Sequence, residues 1–209
     1  MVNEAIAHYA ARRPSGQIPG NLVKEEFDGV RAYRRGFREV LGKTKTLEDI
    51  MGCSSLQWFI LDYLLRQLYL AVDEDRFMVA TNEAGIHLAH RRNFSVDAAV
   101  FDSAVLRPDM ISKKYVNVPP TLSIEVDVDF EMNPEETNLT VPDFIQLKIN
   151  ALHDFGVERI LWVMSETRQV LVSEKGRPTA THDWHEDIEL WRGHTMNIGA
   201  YLAQKNIRT

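Results

Sequence analysis

Residues 121–128 alternate between two kinds of side chain. Leu122, Ile124, Val126 and Val128 form an apolar set, and Ser123, Glu125 and Asp127 a polar one that continues to Asp129. A period of two belongs to a β-strand with unlike faces. Three carboxylates are thereby expected on one face, about 7 Å apart from one to the next. The surrounding stretch, 121–143, holds seven acidic residues and no Lys or Arg. Like charges at that density repel unless something cationic sits among them. This strand is the place in the chain where chemistry is expected.

The segments around it read as a layered α/β arrangement. Thr46–Met51 reads as a short helix capped by Thr46, and Gly52 permits a break. From Ser54 or Ser55 to about Val72, apolar residues recur every three and four positions (Leu56, Phe59, Ile60, Tyr63, Leu64, Leu68, Ala71), which predicts a helix packed on a sheet. Asp73-Glu74-Asp75 ends it as a solvated turn. Phe77–Thr81, continuing through Ile86–Ala89, is the first expected strand, and Ser95–Phe101 the second. Thr121–Val128 is the third, after the turn signal Pro119-Pro120. A helix from about Pro142 to Phe155 ends at Gly156. Arg159–Ser165, nearly all apolar, reads as a strand covered on both faces. Gln169–Ser173 pairs with it as a hairpin, Asp187–Trp191 is a further strand, and Met196–Ala203 a closing helix. The order helix, three strands, helix, strand predicts an α/β fold with a mixed central sheet flanked by helices.

The chain has 209 residues, enough for one domain with its own core, and a net charge of −6. Turn signals at Arg13–Gly16 and Pro19-Gly20 mark residues 1–30 as an extension, with the domain proper in 31–209. One cysteine, Cys53, excludes a disulfide framework and a Cys-rich zinc site. It has no adjacent base and reads as an ordinary small residue. No apolar run reaches membrane-spanning length, since Asp62 and Arg66 interrupt the most apolar helix. No basic segment followed by an apolar one opens the chain, so a reducing, cytoplasmic setting is expected. The acidic balance argues against broad attachment to nucleic acid but leaves room for a local basic groove.

Asp97 is an acid within an otherwise apolar strand, between Val96 and Ala98. With the second and third strands adjacent, it approaches Glu125. Paired carboxylates are costly without a cation, and oxygen ligands suit a hard ion such as Mg²⁺ or Mn²⁺. Asp97, Glu125 and the carbonyl of Val126 would form such a set. Lys148, the one Lys or Arg in the following helix, is the candidate for charge developing on a phosphate. Solvated strand-end acids and a surface lysine are the plainer alternative. His87 and His90 point to opposite faces of a strand, so a joint metal site is not expected; with Arg91 and Arg92 they could form a basic patch. Arg31, Arg34, Arg35 and Arg38 read as a solvated edge sooner than a DNA-contacting arm. His182 and His185 read as surface groups, Trp58 and Trp162 as core.

Four stretches carry a family resemblance: Leu47–Gly52 leading into the Ser54 helix; Asn82-Glu83-Ala84-Gly85 followed by Ser95–Val100; Pro119–Asp127; and Lys148 with Asp154–Val163. Asp187–Trp191 through Ile198 adds to them. From about residue 25 onward the chain resembles the Uma-type family of restriction-endonuclease-like proteins, common in cyanobacteria and other bacteria, with the PD-(D/E)XK fold. The resemblance implies a core of helix, three strands, helix and strand. It implies that Asp97 and Glu125 hold Mg²⁺, and that the activity is hydrolysis of DNA phosphodiester bonds. The usual motif has Lys two residues after the Glu, where this chain has Asp127. The resembling family often carries its lysine on the next helix, the position of Lys148. Asp127 is then an additional metal ligand and Glu83 a weaker candidate. Asp129 and Glu131 add negative charge where a phosphodiester would sit, which leaves a non-cleaving binding module on the same fold as the rival. The partner implied is DNA, and two-fold symmetry would suit a homodimer on a duplex.

Overall fold

The computed structural model describes residues 18–90, 92–127 and 129–208. Along the chain run strands β1 (Val23–Phe27) and β2 (Val30–Arg34), helices α1 (Phe37–Leu41) and α2 (Ser55–Ala71), and strands β3 (Phe77–Ala89), β4 (Arg92–Asp102), β5 (Leu122–Val126) and β6 (Phe130–Met132). Helix α3 (Val141–Phe155) follows, then β7 (Arg159–Met164), β8 (Gln169–Glu174), β9 (Ala180–Asp183), β10 (Ile188–Trp191), β11 (His194–Met196) and α4 (Ile198–Gln204). The chain divides into two compact units. One comprises Met1–Cys53 with Val128–Ala151, the other Ser54–Asp127 with Leu152–Thr209.

In the first unit β1, β2 and β6 form a three-stranded antiparallel sheet. Asp28 and Gly29 both have positive φ (50° and 78°), the backbone that a two-residue hairpin turn needs. The boundary expected at residue 30 falls at this hairpin, where Phe27 pairs with Val30; residues 1–17 of the expected extension lie outside the described residues. Leu22, Tyr33, Phe37 and Ile50 are buried together, and the rings of Tyr33 and Phe37 stack at 4.6 Å. The Glu131 carboxylate accepts the Gly36 N–H at 2.9 Å and pairs with Arg38 at 2.5 Å. The helix expected over Thr46–Met51 is a single 3-10 turn, Glu48–Ile50.

The second unit is built on a six-stranded mixed sheet in the order β3-β4-β5-β7-β8-β9. β5 and β7 run parallel, and the other neighbours run antiparallel. On one face α2 packs Ile60, Tyr63, Leu64 and Leu68 against Ala98, Val100, Leu122, Ile124, Val126, Leu161 and Val163, and β10, β11 and α4 close the same cluster. The Ser54 hydroxyl caps α2 by accepting the Gln57 N–H at 3.1 Å. Ile160 to Val163 are all buried, as a central strand covered on both faces requires. Ile86, Val96, Ala99, Phe101 and Leu106 form a second cluster.

Several expectations are corrected. Trp58 does not fill the core: it is 52% exposed on the outer side of α2, while Trp162 is buried at 2%. The third strand stops at Val126, not Val128. Met196 belongs to β11, so the closing helix starts at Ile198. Val96 leaves the face shared by Ala98 and Val100 and joins the second cluster, beyond an irregularity in the β3–β4 pairing.

Candidate functional site

Asp97 lies on β4 and Glu125 on β5, and these strands are antiparallel neighbours. The register pairs Val100 with Leu122, Ala99 with Ser123 and Ala98 with Ile124. Regular pairing ends with Ala98 and Ile124, so Asp97 and Glu125 are the next residues past the last paired rung of adjacent strands. Asp97 also holds the end of the ladder together. Its Oδ2 accepts the Val126 N–H at 2.7 Å, taking over from the backbone where regular pairing stops.

The other neighbour of Asp97 is a β-bulge. Thr81 pairs with Ala98 and Ala84 with Val96, so Asn82 and Glu83 together oppose Asp97. Both have positive φ, 66° and 53°, and an inserted residue of this kind re-aims the strand locally. The Thr81 hydroxyl donates to the Asp97 carbonyl at 3.1 Å. Asp97 is therefore held from both flanking strands. Glu83 is exposed on the bulge.

Asp127 departs from the face it was expected to share. Its φ of 69° breaks the alternation after Val126. Its N–H donates to the Val163 carbonyl at 2.6 Å, its carbonyl accepts the Trp162 indole N–H at 3.2 Å, and its Oδ1 accepts the Ser165 N–H at 2.7 Å. Three bonds thus fasten the end of β5 to β7. Among the described residues no group of three or more His, Cys, Asp or Glu side chains gathers as a metal-ligand cluster. The structure places Asp97 and Glu125 one residue past the last rung of adjacent strands and turns the Asp127 carboxylate to the backbone of Ser165.

Asp97 and Glu125 suit a hard cation by their donor chemistry. Both groups are carboxylates at half-buried positions. Oε1 of Glu125 is a buried oxygen that receives no hydrogen bond, although the residue is engaged by neighbouring groups. The Val126 carbonyl, the third expected donor, accepts the Gln57 side-chain N–H at 2.8 Å and keeps a second lone pair.

Lys148 belongs to the first unit and is buried, at 4% exposure. Its ammonium lies 3.1 Å from Oε1 of Glu25 on β1 and hydrogen-bonds Oε2 at 3.2 Å. Sequence reasoning missed Glu25 by assigning residues 1–30 to an extension. The signal was present: Asp28-Gly29 between two short segments rich in β-formers is a two-residue hairpin pattern. The arginines expected on a solvated edge are engaged locally. Arg31 pairs with Glu26 at 3.0 Å, Arg38 with Glu131, and Arg34 donates to the Asn21 carbonyl at 3.3 Å. His182 bonds Glu186 and His185 bonds Asp183, pairs local to the end of β9 and the turn after it.

No family model matches the chain, and no curated protein matches it. Among solved structures it is similar to one described as "a putative nuclease belonging to DUF820", from Anabaena variabilis. The TM-score is 0.56 at 12% sequence identity, over 72% of this chain and 82% of that one. At this identity the likeness speaks for the fold alone: the chain shares with that structure an α/β fold, here with a mixed central sheet.

Proposed function

We propose that the protein is a metal-dependent endonuclease that hydrolyses DNA phosphodiester bonds, with Asp97 and Glu125 as the residues that hold Mg²⁺ or Mn²⁺. The observation that supports this reading is the β4–β5 pairing, whose last rung, Ala98 with Ile124, leaves Asp97 and Glu125 next in line on adjacent strands. When bound, a divalent ion supplies Lewis-acid chemistry to the phosphodiester and to the attacking water. The chain contributes placement. The Val126 N–H fixes one oxygen of Asp97, which sets the direction of the other. Asp127, the expected additional ligand, acts in this reading by fastening β5 to β7 just after Val126 and so steadying the end of the strand that carries Glu125. The resemblance gives Lys148 the charge that develops on the phosphate, and that role is proposed on the resemblance alone.

The rival, a binding module that does not cleave, draws support from Lys148 standing in an ion pair with Glu25 and from Asp127 being occupied by Ser165. The two readings separate in one experiment. Purified protein is incubated with supercoiled and linear duplex DNA in Mg²⁺ or Mn²⁺, beside Glu125→Gln and Asp97→Asn. Loss of cutting by at least about 100-fold in both variants, the size of an electrostatic contribution in an active site, supports the enzyme. Undiminished cutting by either removes the assigned site. Absence of cutting by the parent, with either ion, selects the rival. A thermal-shift titration with Mn²⁺ adds a readout besides activity. A saturable stabilisation, about 2.7 kcal/mol at a hundredfold excess over Kd, should vanish in Asp97→Asn.

A further inference from the structure

The β3–β4 hairpin is longer than the sheet behind it. β5 pairs with β4 at residues 98–100, so β4 from Arg92 to Val96 and β3 from Ala84 to Ala89 run on as a two-stranded arm. A third piece of chain lies along it. The Val116 N–H donates to the Gly85 carbonyl at 3.0 Å, and the His87 N–H donates to the Val116 carbonyl at 2.7 Å. Just before that contact, the Tyr115 ring covers Gly85. A Cβ there would fall 2.4 Å from the ring, so only glycine permits the approach, and Tyr115 still remains 59% exposed.

The charge of this arm opposes that of the chain. Residues 84–96 and 110–120 contain no Asp or Glu, while they contain Arg91, Arg92, Lys113, Lys114, His87 and His90. Arg91 lies outside the described residues and nothing is built on its placement. Lys113 and Lys114 are exposed beside Tyr115, and His87 Nδ1 lies 2.6 Å from Asn93 Oδ1 on the arm itself. In a chain of net charge −6, this acid-free, base-rich segment is a local reversal of sign. It also has a fixed relation to the carboxylates, because Asp97 is the residue at its root, opposite the bulge where the arm begins.

We infer that this arm is the nucleic-acid-binding element of the protein, with Lys113, Lys114 and Arg92 lying along the phosphates of a duplex and the Tyr115 ring against its sugars or bases. The inference rests on the nuclease reading for what lies at the root of the arm, and it adds the surface that would bring a strand there. Five residue steps separate Arg92 from Asp97, about 17 Å at the strand rise. That length matches about five base-pair steps of duplex at 3.4 Å each. A basic surface ending at an acidic pair suits a phosphodiester chain, which the bases attract and which needs a cation only where it meets the acids. An anionic membrane would explain the bases but gives no role to the acids beside them.

The test measures binding apart from cutting. The full-length protein is titrated into a fluorescein-labelled 30-base-pair duplex in EDTA, followed by anisotropy from 50 to 200 mM salt. Lys113→Ala/Lys114→Ala should weaken binding at least tenfold and reduce the slope of log K against log salt by about 1.8, the share of two phosphates. Tyr115→Ser should weaken binding with little change in slope. A control, Lys175→Ala/Lys205→Ala, should bind as the parent does. Equal losses in control and arm variants would overturn the inference, as would a parent that does not bind the duplex. So would arm-dependent binding to phosphatidylserine vesicles in preference to DNA. Parent protein that binds through the arm but never cleaves leaves the inference standing and removes the nuclease reading. Cleavage and binding that survive unchanged in the arm variants do the reverse.

Discussion

Lys148 and Glu25 meet with side chains only 5% and 15% exposed, an ion pair largely withdrawn from water. Removing one partner of a buried pair costs about 3–5 kcal/mol, chiefly because the remaining charge is left without compensation. Lys148→Met should therefore lower the urea midpoint by that order, and adding Glu25→Gln should restore much of the loss. A Lys148→Met protein as stable as the parent would show that the pair is not structural. Tyr33 makes a prediction at alkaline pH. Burial first, and then its hydrogen bond to Glu136, push its hydroxyl up to about 12. The folded chain therefore holds this proton more tightly than the unfolded chain, whose phenol titrates near ~10. The contribution to stability is intact below about pH 10 and is lost as the pH rises through about 12. Tyr33→Phe should flatten that alkaline decline, read from unfolding free energies across the range.

At the scale of elements, α3 begins with a reciprocal cap. The Asp143 carboxylate accepts the Thr140 N–H at 2.8 Å and its hydroxyl at 2.6 Å, and the Asp143 N–H returns a bond to the hydroxyl at 3.3 Å. These bonds hold the Asp143 carboxyl below the usual carboxylate range, the Thr140 hydroxyl contributing most. Thr140→Ala should cost about 1 kcal/mol of stability, the usual price of a lost cap. Elements with strong periodicity were legible in advance: α2, β7 and the β7–β8 hairpin lie within a residue or so of where their apolar patterns put them. The acid-rich strand was legible only as far as Val126. Alternation predicts faces for as long as φ stays negative, and nothing in Val-Asp-Val announces the positive φ of Asp127. Trp58 misled for another reason: its size was read as burial, whereas the apolar face of α2 named from its periodicity omits it, and that face, with Ile60, Tyr63, Leu64 and Leu68, is the one buried. The adjacency of the strands that carry Asp97 and Glu125 could be expected, but where their pairing ends required knowing that Ala98 opposes Ile124. The bulge at Asn82-Glu83 carried no pattern that would have revealed it.

At the scale of the whole molecule, the sheet of the second unit is interrupted in sequence. Residues 128–151 belong to the first unit and separate β5 from β7, the one parallel pair among the described strands. The β3–β4 hairpin is local and needs only a short turn, whereas β5–β7 must wait for a long loop to close. In pulse-labelled hydrogen exchange during refolding, amides of residues 77–102 should gain protection before those of 122–126 and 159–164. Simultaneous protection would argue for a single concerted nucleus. The same interruption matters while the chain is being made. β7 leaves the ribosome about 30 residues after β5, which at 5–20 residues per second is some 2–6 s. For that interval one edge of an apolar strand has no neighbour, and unpaired edges invite pairing with other chains. Slower growth temperatures and abundant holdase chaperones should therefore raise the yield of native protein more than any change to its finished surface.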